Sequence, residues 1–449
     1  MKKIIIMIIG IISIFTYQIN VSAQDNVISM NKYQEETFHF INNSYNEKLE
    51  NDGFILGGKI LKETIEEDDE EYNDYQAIIV KYKKDGKLSW KYTYGKNGED
   101  DLDYLDYTYD SEGNIDGYLM VLQKSKEINS DDKVSTIFLK IDFEGKLVWE
   151  KETGLSSEEK INKIISTTND DGIVNGYIAI ANGNNRSYLI KYDKELKIVW
   201  KKESKLNNYK EINYIDLEKV SFEKTINGYV VLVKYIDSDN KTKIQLVRFD
   251  KEGNNSKVVN DKVEKYNSYY LKDTNNGYIL YGATKDVKLK KGQYSYYIIN
   301  YDSNDEPIWE TIGDTPVDYK EKIILLPKYK DNELNEYLLL SYNNINKCSE
   351  VVTIDLEGSI KEKVKKINSE YYNIEDFITE GKVLYFVGQI NCPEDDTCDY
   401  DSNSLFLISD EDKVIEVKDN DSKNIIIVIV VLIILSVGAF FIKAKKEQH

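Results

Sequence analysis

The chain has 449 residues, 59 basic against 79 acidic side chains, a net charge of −20 and three cysteines. A surface this acidic repels nucleic acid and anionic lipid headgroups. So few cysteines exclude a disulfide framework or a cysteine-based zinc centre as the source of the fold.

Met1-Lys2-Lys3 is a basic start, followed by an apolar run of 12 residues, Ile4 to Phe15, and by small residues at Val21-Ser22-Ala23. That order predicts a secretory signal over 1–23, because the apolar run is too short to span a bilayer comfortably. Asn26 to Lys32 is placed as an extra outer strand of one repeat, helping to close a ring.

From residue 33 onward a β-hairpin signature recurs seven times at a spacing of about 54 residues. It is clearest in Lys140-Ile141-Asp142-Phe143-Glu144-Gly145-Lys146-Leu147-Val148-Trp149. The slot of Asp142 is filled elsewhere by Lys83, Asp193, Asp250, Asp302, Asp355 and Ser409. A fixed period of this size marks supersecondary units that cannot bury their apolar faces alone. Five units have a strand led by Gly and an aromatic, such as Gly117-Tyr118 or Gly277-Tyr278, the sixth has Glu336-Tyr337 and the seventh is degenerate near Gly381-Lys382; a variable loop and an alternating strand follow. A Gly-containing turn leads to a last strand, which carries Trp90, Trp149, Trp200 or Trp309. The Asn227-Gly228 and Asn276-Gly277 steps are read as hairpin turns.

With the strand before each Gly-aromatic pair, every unit has four antiparallel strands. The fold class is therefore all-β, a seven-bladed propeller with blades of about 33–95, 96–154, 155–205, 206–262, 263–315, 316–368 and 369–418. A β-sandwich array needs about 100 residues per domain, and a linear solenoid needs shorter repeats and atypical caps. A polar stalk at 419–424 precedes 18 uncharged residues, Ile425 to Ile442, read as one transmembrane helix. Lys443, Lys445 and Lys446 make 443–449 a basic cytoplasmic tail. The expected location is the cell membrane, with a single pass and residues 24–418 outside.

The Gly86-Lys87-Leu88-Ser89-Trp90 turn and its copy Gly145-Lys146-Leu147-Val148-Trp149 resemble the repeat of PQQ-like propellers. That family includes quinoprotein dehydrogenases and non-enzymatic outer-membrane assembly scaffolds. The dehydrogenase branch implies a vicinal cysteine pair, which this chain lacks.

Histidine occurs only at His39 and His449, so a histidine-dependent triad or metal site in the ectodomain would rest on His39 alone. Arg186 and Arg248 are two guanidinium groups, too few for the three-arginine carboxylate clamp of sialidases. No catalytic residue and no cofactor-binding residue is singled out. The residues lean toward a protein that is not an enzyme. The alternatives are a carboxylate-dependent glycosidase or lyase and a ligand-sensing ectodomain.

The four tryptophans share one slot and are assigned to packing between blades, in preference to sugar stacking. The functional face is placed on the longer loops. Glu66, Glu67, Asp68, Asp69 and Glu70 lie in the first blade, and Asp100, Asp101 and Asp103 link it to the second. Asp395 and Asp396 lie between Cys392 and Cys398, which are read as a local disulfide, and Asp399 and Asp401 follow in the same loop. Hard oxygen donors there suit calcium, the one cofactor considered, and a solvated acidic loop is the plainer alternative. Lys285 to Lys291 gives the fifth blade a contrasting basic loop. The expected partner is an envelope protein or a cell-wall glycan, with the membrane engaged through Ile425 to Ile442 and no nucleic acid.

Overall fold

The computed structural model describes residues 27–29, then 36–390 apart from short segments between strands, and 404–410. All of its regular elements are β-strands. β1 (Val27–Ser29) stands first in the chain. One sheet is built from β2 (Glu36–Tyr45), β3 (Asn51–Glu67), β4 (Glu70–Lys83) and β5 (Leu88–Tyr94). The next holds β6 (Asp101–Tyr109), β7 (Ile115–Lys124), β8 (Ser135–Ile141) and β9 (Leu147–Glu152). A third holds β10 (Lys160–Thr168), β11 (Val174–Gly183), β12 (Arg186–Tyr192) and β13 (Ile198–Glu203). A fourth holds β14 (Glu211–Phe222), β15 (Thr225–Ile236), β16 (Thr242–Phe249) and β17 (Lys257–Asn260). A fifth holds β18 (Tyr266–Thr274), β19 (Gly277–Thr284), β20 (Tyr294–Asp302) and β21 (Pro307–Val317). A sixth holds β22 (Ile324–Lys330), β23 (Glu333–Asn343), β24 (Cys348–Ile354) and β25 (Ile360–Asn368). The last combines β26 (Tyr372–Glu380), β27 (Val383–Ile390) and β28 (Ser404–Asp410) with β1, in the order β1-β28-β27-β26.

This is a β-propeller of four-stranded antiparallel blades. Successive sheets pack face to face, and each core cluster joins two of them. Ile178 and Ile180 of β11, for example, pack with Val231 and Val233 of β15. Second strands read as unbroken apolar runs because both of their faces are covered; every residue of β19 is buried. Each aliphatic side chain so enclosed contributes about 1.5–3 kcal/mol. The last sheet meets the first through Phe54 and Tyr385, whose rings lie 4.2 Å apart. There Asp376 Oδ2 also accepts the Ile41 N–H at 3.2 Å.

The last sheet takes its fourth strand from the start of the chain: Val27 pairs with Leu407 and Ser29 with Leu405. The Asn227-Gly228 step corrects an expectation, since it lies within β15 and not in a turn. Gly228 is required by close approach. Its φ is +143° and a Cβ there would sit 2.2 Å from the Phe249 carbonyl oxygen of the third strand.

The tryptophans pack between blades, as their shared slot implies. Trp90 Nε1 donates to the Phe143 carbonyl at 2.8 Å, and Trp309 Nε1 to the Leu356 carbonyl at 2.8 Å. Both rings cover a turn glycine of the following blade, Gly145 and Gly358. The signal peptide, stalk, transmembrane helix and tail assigned from sequence lie outside the described residues. Among the described residues no helix is long and apolar enough to cross a membrane.

Candidate functional site

One face of the propeller carries the loops between second and third strands together with the links between blades. β3 and β4 extend furthest there, paired out to Glu66 opposite Glu71 and Glu67 opposite Glu70. Like charges in directly opposed register cost stability. Asp68 and Asp69 lie outside the described residues, as do Asp395, Asp396, Asp399, Asp401, Cys392 and Cys398.

The linking acids turn inward. Asp100 is buried, and its N–H donates to the Tyr75 carbonyl at 3.0 Å. Asp103 is paired with Lys160 at 2.7 Å. Burial nonetheless pushes the Asp103 carboxyl up. Oδ1 of Asp101 and Oδ2 of Asp103 are buried without a hydrogen-bond partner. Of the acids named from sequence, the described backbone therefore leaves Glu66, Glu67 and Glu70 at the projecting tip, while Asp100 and Asp103 brace the joint between two blades.

β2, β6, β10, β14, β18, β22 and β26 are the first strands of their sheets. Each is the edge of its sheet, so its inward N–H groups need partners from elsewhere. Asp376 supplies one for Ile41, and Asp216 Oδ2 accepts the Leu271 N–H at 2.6 Å. Both aspartates thus reach from one blade to the next at the same place in the repeat.

Around them is a charge network that sequence reading missed. Lys163 Nζ lies 2.7 Å from Asp216 Oδ1 and 2.9 Å from Glu218 Oε1. Burial disfavours its ammonium form, but Asp216 and Glu218 outweigh that and hold Lys163 well above the usual lysine range. Lys219 meets Asp273 at 3.5 Å. Asp273 is half-buried, and Lys219 and Lys272 hold its carboxyl below the ordinary range against the effect of desolvation. Asp106 accepts the N–H of Tyr107 at 2.8 Å, and burial raises its carboxyl to about 6. The signal was available in Leu217-Glu218-Lys219 and Lys272-Asp273, adjacent charges inside strands that otherwise read as core.

His39 sits at a register shift of β2 between Phe38 and Phe40. Burial lowers its pKa, against the opposing pull of Glu375 and Asp101. Among the described residues, no group of three or more His, Cys, Asp or Glu side chains is arranged to hold a metal ion.

A second recurrent unit lies nearer the opposite face. Lys81 pairs with Asp52 at 2.8 Å, and Asp52 accepts from Ser44 at 2.8 Å. Lys140 pairs with Asp116 at 2.5 Å, and Asp116 accepts from Thr108 at 2.7 Å. In the third blade the carboxylate is replaced by Asn175, which accepts from Thr167 at 2.8 Å. Lys191 then has no counter-charge, and burial depresses its amine to about 8.

No family model and no curated protein matches the chain. Solved structures similar to it include the β-propeller domain of the Trilobed protease from Pyrococcus furiosus. That match has 12% identity, covers 83% of this chain and 95% of that one, and has a TM-score of 0.43. Another is polysaccharide lyase Uly1, with 10% identity, 80% and 88% coverage and a TM-score of 0.47. Likeness at this level says nothing of activity. The resemblance to PQQ-like propellers therefore rests on the turn motif alone.

Proposed function

We propose that the seven sheets are the blades of one closed ring, and that the ring is a binding or scaffold module held at the cell surface. The observation that carries this reading is the β3–β4 hairpin, which projects from a braced scaffold and ends in opposed glutamates. The interior charges support it. Lys163, Asp216, Glu218, Lys219 and Asp273 are engaged with one another and join blades. A partner with a basic surface fits the tip. The signal peptide over 1–23 and the helix Ile425 to Ile442 would export the propeller and anchor it with its loops outside.

The test compares what wild type and an E66Q/E67Q/E70Q/E71Q variant retain from extracts of the protein's own envelope. Protease treatment of intact cells tests the location, since residues 24–418 should be removed from outside. The competing reading is a polysaccharide-active enzyme. Turnover of a wall polysaccharide, abolished by one Asp or Glu substitution, would establish that reading in place of this one.

A further inference from the structure

The same loop face has a concavity far round the ring from the acidic hairpin. It is an open cleft of about 470 Å³ where the fifth blade meets the sixth. Its walls are Gln293 and Tyr294 at the start of β20, Asp318, Tyr319 and Lys320 after β21, and Ile345 between β23 and β24. A volume in the range of roughly 300–1,000 Å³ is what small-ligand sites occupy.

The wall chemistry is specific. The rings of Tyr294 and Tyr319 are 4.3 Å apart and inclined at 31°. Lys285 Nζ stands 5.0 Å from the centroid of the Tyr294 ring. Gln293, Asp318 and Lys320 add an amide, a carboxylate and an ammonium. Ile345 is 55% exposed at the rim, an apolar side chain left in water.

The two loops that carry Tyr319 and Ile345 are fixed from beneath. The Asp318 N–H donates to the Tyr342 carbonyl at 2.8 Å, and Asp318 Oδ1 accepts the Lys320 N–H at 3.0 Å. The buried Asn343 accepts from the N–H groups of both Ile345 and Asn346 at 3.1 Å. A cleft held in shape loses little entropy when it is filled.

We infer that this cleft binds a pyranose residue of a glycan chain. A sugar ring offers an apolar C–H face and a rim of hydroxyls, and this cleft offers tyrosine rings beside an amide, a carboxylate and an ammonium. Lys285 and Lys320 extend the preference to a ring bearing a carboxylate. The inference does not depend on the acidic hairpin.

The test titrates the purified full chain by calorimetry with chitotetraose, maltotetraose and tetragalacturonate. At least one binds, and Tyr319→Ala and Gln293→Leu each weaken that binding about tenfold or more. Tyr319→Phe retains the ring and most of the affinity. Lys285→Ala weakens only tetragalacturonate. The E66Q/E67Q/E70Q/E71Q variant binds as wild type does, which separates this site from the hairpin. Equal unfolding midpoints show that the cleft variants are folded. Absence of binding by all three sugars, or binding that both Tyr319→Ala and Gln293→Leu leave unchanged, overturns the assignment.

Discussion

Trp90 and Gly145 belong to successive blades, and the indole of one lies against the backbone of the other. A Cβ at Gly145 would come within 2.5 Å of the Trp90 ring, and the glycine has a φ of +85°. Sterics and backbone conformation both demand glycine there. Gly145→Ala is expected to destabilise the propeller by about 1–3 kcal/mol, read as a lower urea midpoint. Trp90→Phe keeps much of the packing but strands the Phe143 carbonyl, at a cost of about 1 kcal/mol. A midpoint unmoved by Gly145→Ala would contradict this account of how blades dock.

The third blade offers a charge experiment. Lys191 titrates near 8 in the folded chain against an ordinary 10.5. The unfolded chain binds the extra proton between those values, so this group makes stability rise with pH across that window. Asn175→Asp restores the pair seen at Lys81–Asp52 and Lys140–Asp116. The substitution should stabilise the protein by about 1 kcal/mol at neutral pH and flatten the rise above pH 8. Urea unfolding at several pH values checks both effects.

Asp106 has the opposite sign. Its folded value of about 6 exceeds its ordinary 3.8. Its contribution is fully present below the ordinary value and is lost as pH rises through the folded one. Asp106→Asn should therefore remove a decline in stability between those two values and be neutral or stabilising at pH 7. A carbon-13 titration of the Asp106 carboxyl reads the folded value directly.

The axial network predicts a larger effect. Lys163→Met leaves Asp216 and Glu218 close together and without their ammonium. Breaking a buried pair in this way costs about 3–5 kcal/mol. Thermal unfolding should show the loss, and adding Glu218→Gln should recover part of it. A Lys163→Met protein as stable as wild type would mean that the axis is wetter than its ion pairs imply.

The repeat was legible because packing imposes it. Tyr118, Tyr177 and Tyr278 are buried after a strand glycine, and tryptophans recur where blades meet. Periodicity in sequence is the direct record of such contacts. The charges of the axial network stood out inside core-like strands, but their pairing did not, because the partners of Lys163 lie 53 and 55 residues away on a different blade. Only the ring geometry joins them. An acidic run in a link reads as solvated, but Asp100 bonds back to Tyr75 of the first sheet and Asp103 pairs with Lys160 of the third. β1 is the fourth strand of the last sheet, where the sequence placed Asn26 to Lys32 only as an extra outer strand beside four others.

The central claim is that the hairpin ending in Glu66, Glu67, Glu70 and Glu71 is a recognition surface. Its most direct test is quantitative capture from envelope extract by wild type and by the E66Q/E67Q/E70Q/E71Q variant, at low and high salt. The account predicts a retained basic protein that salt weakens and the variant loses, with the fold unchanged. Equal retention by both proteins would contradict it, and a retained polysaccharide that shortens with time would replace it with an enzyme.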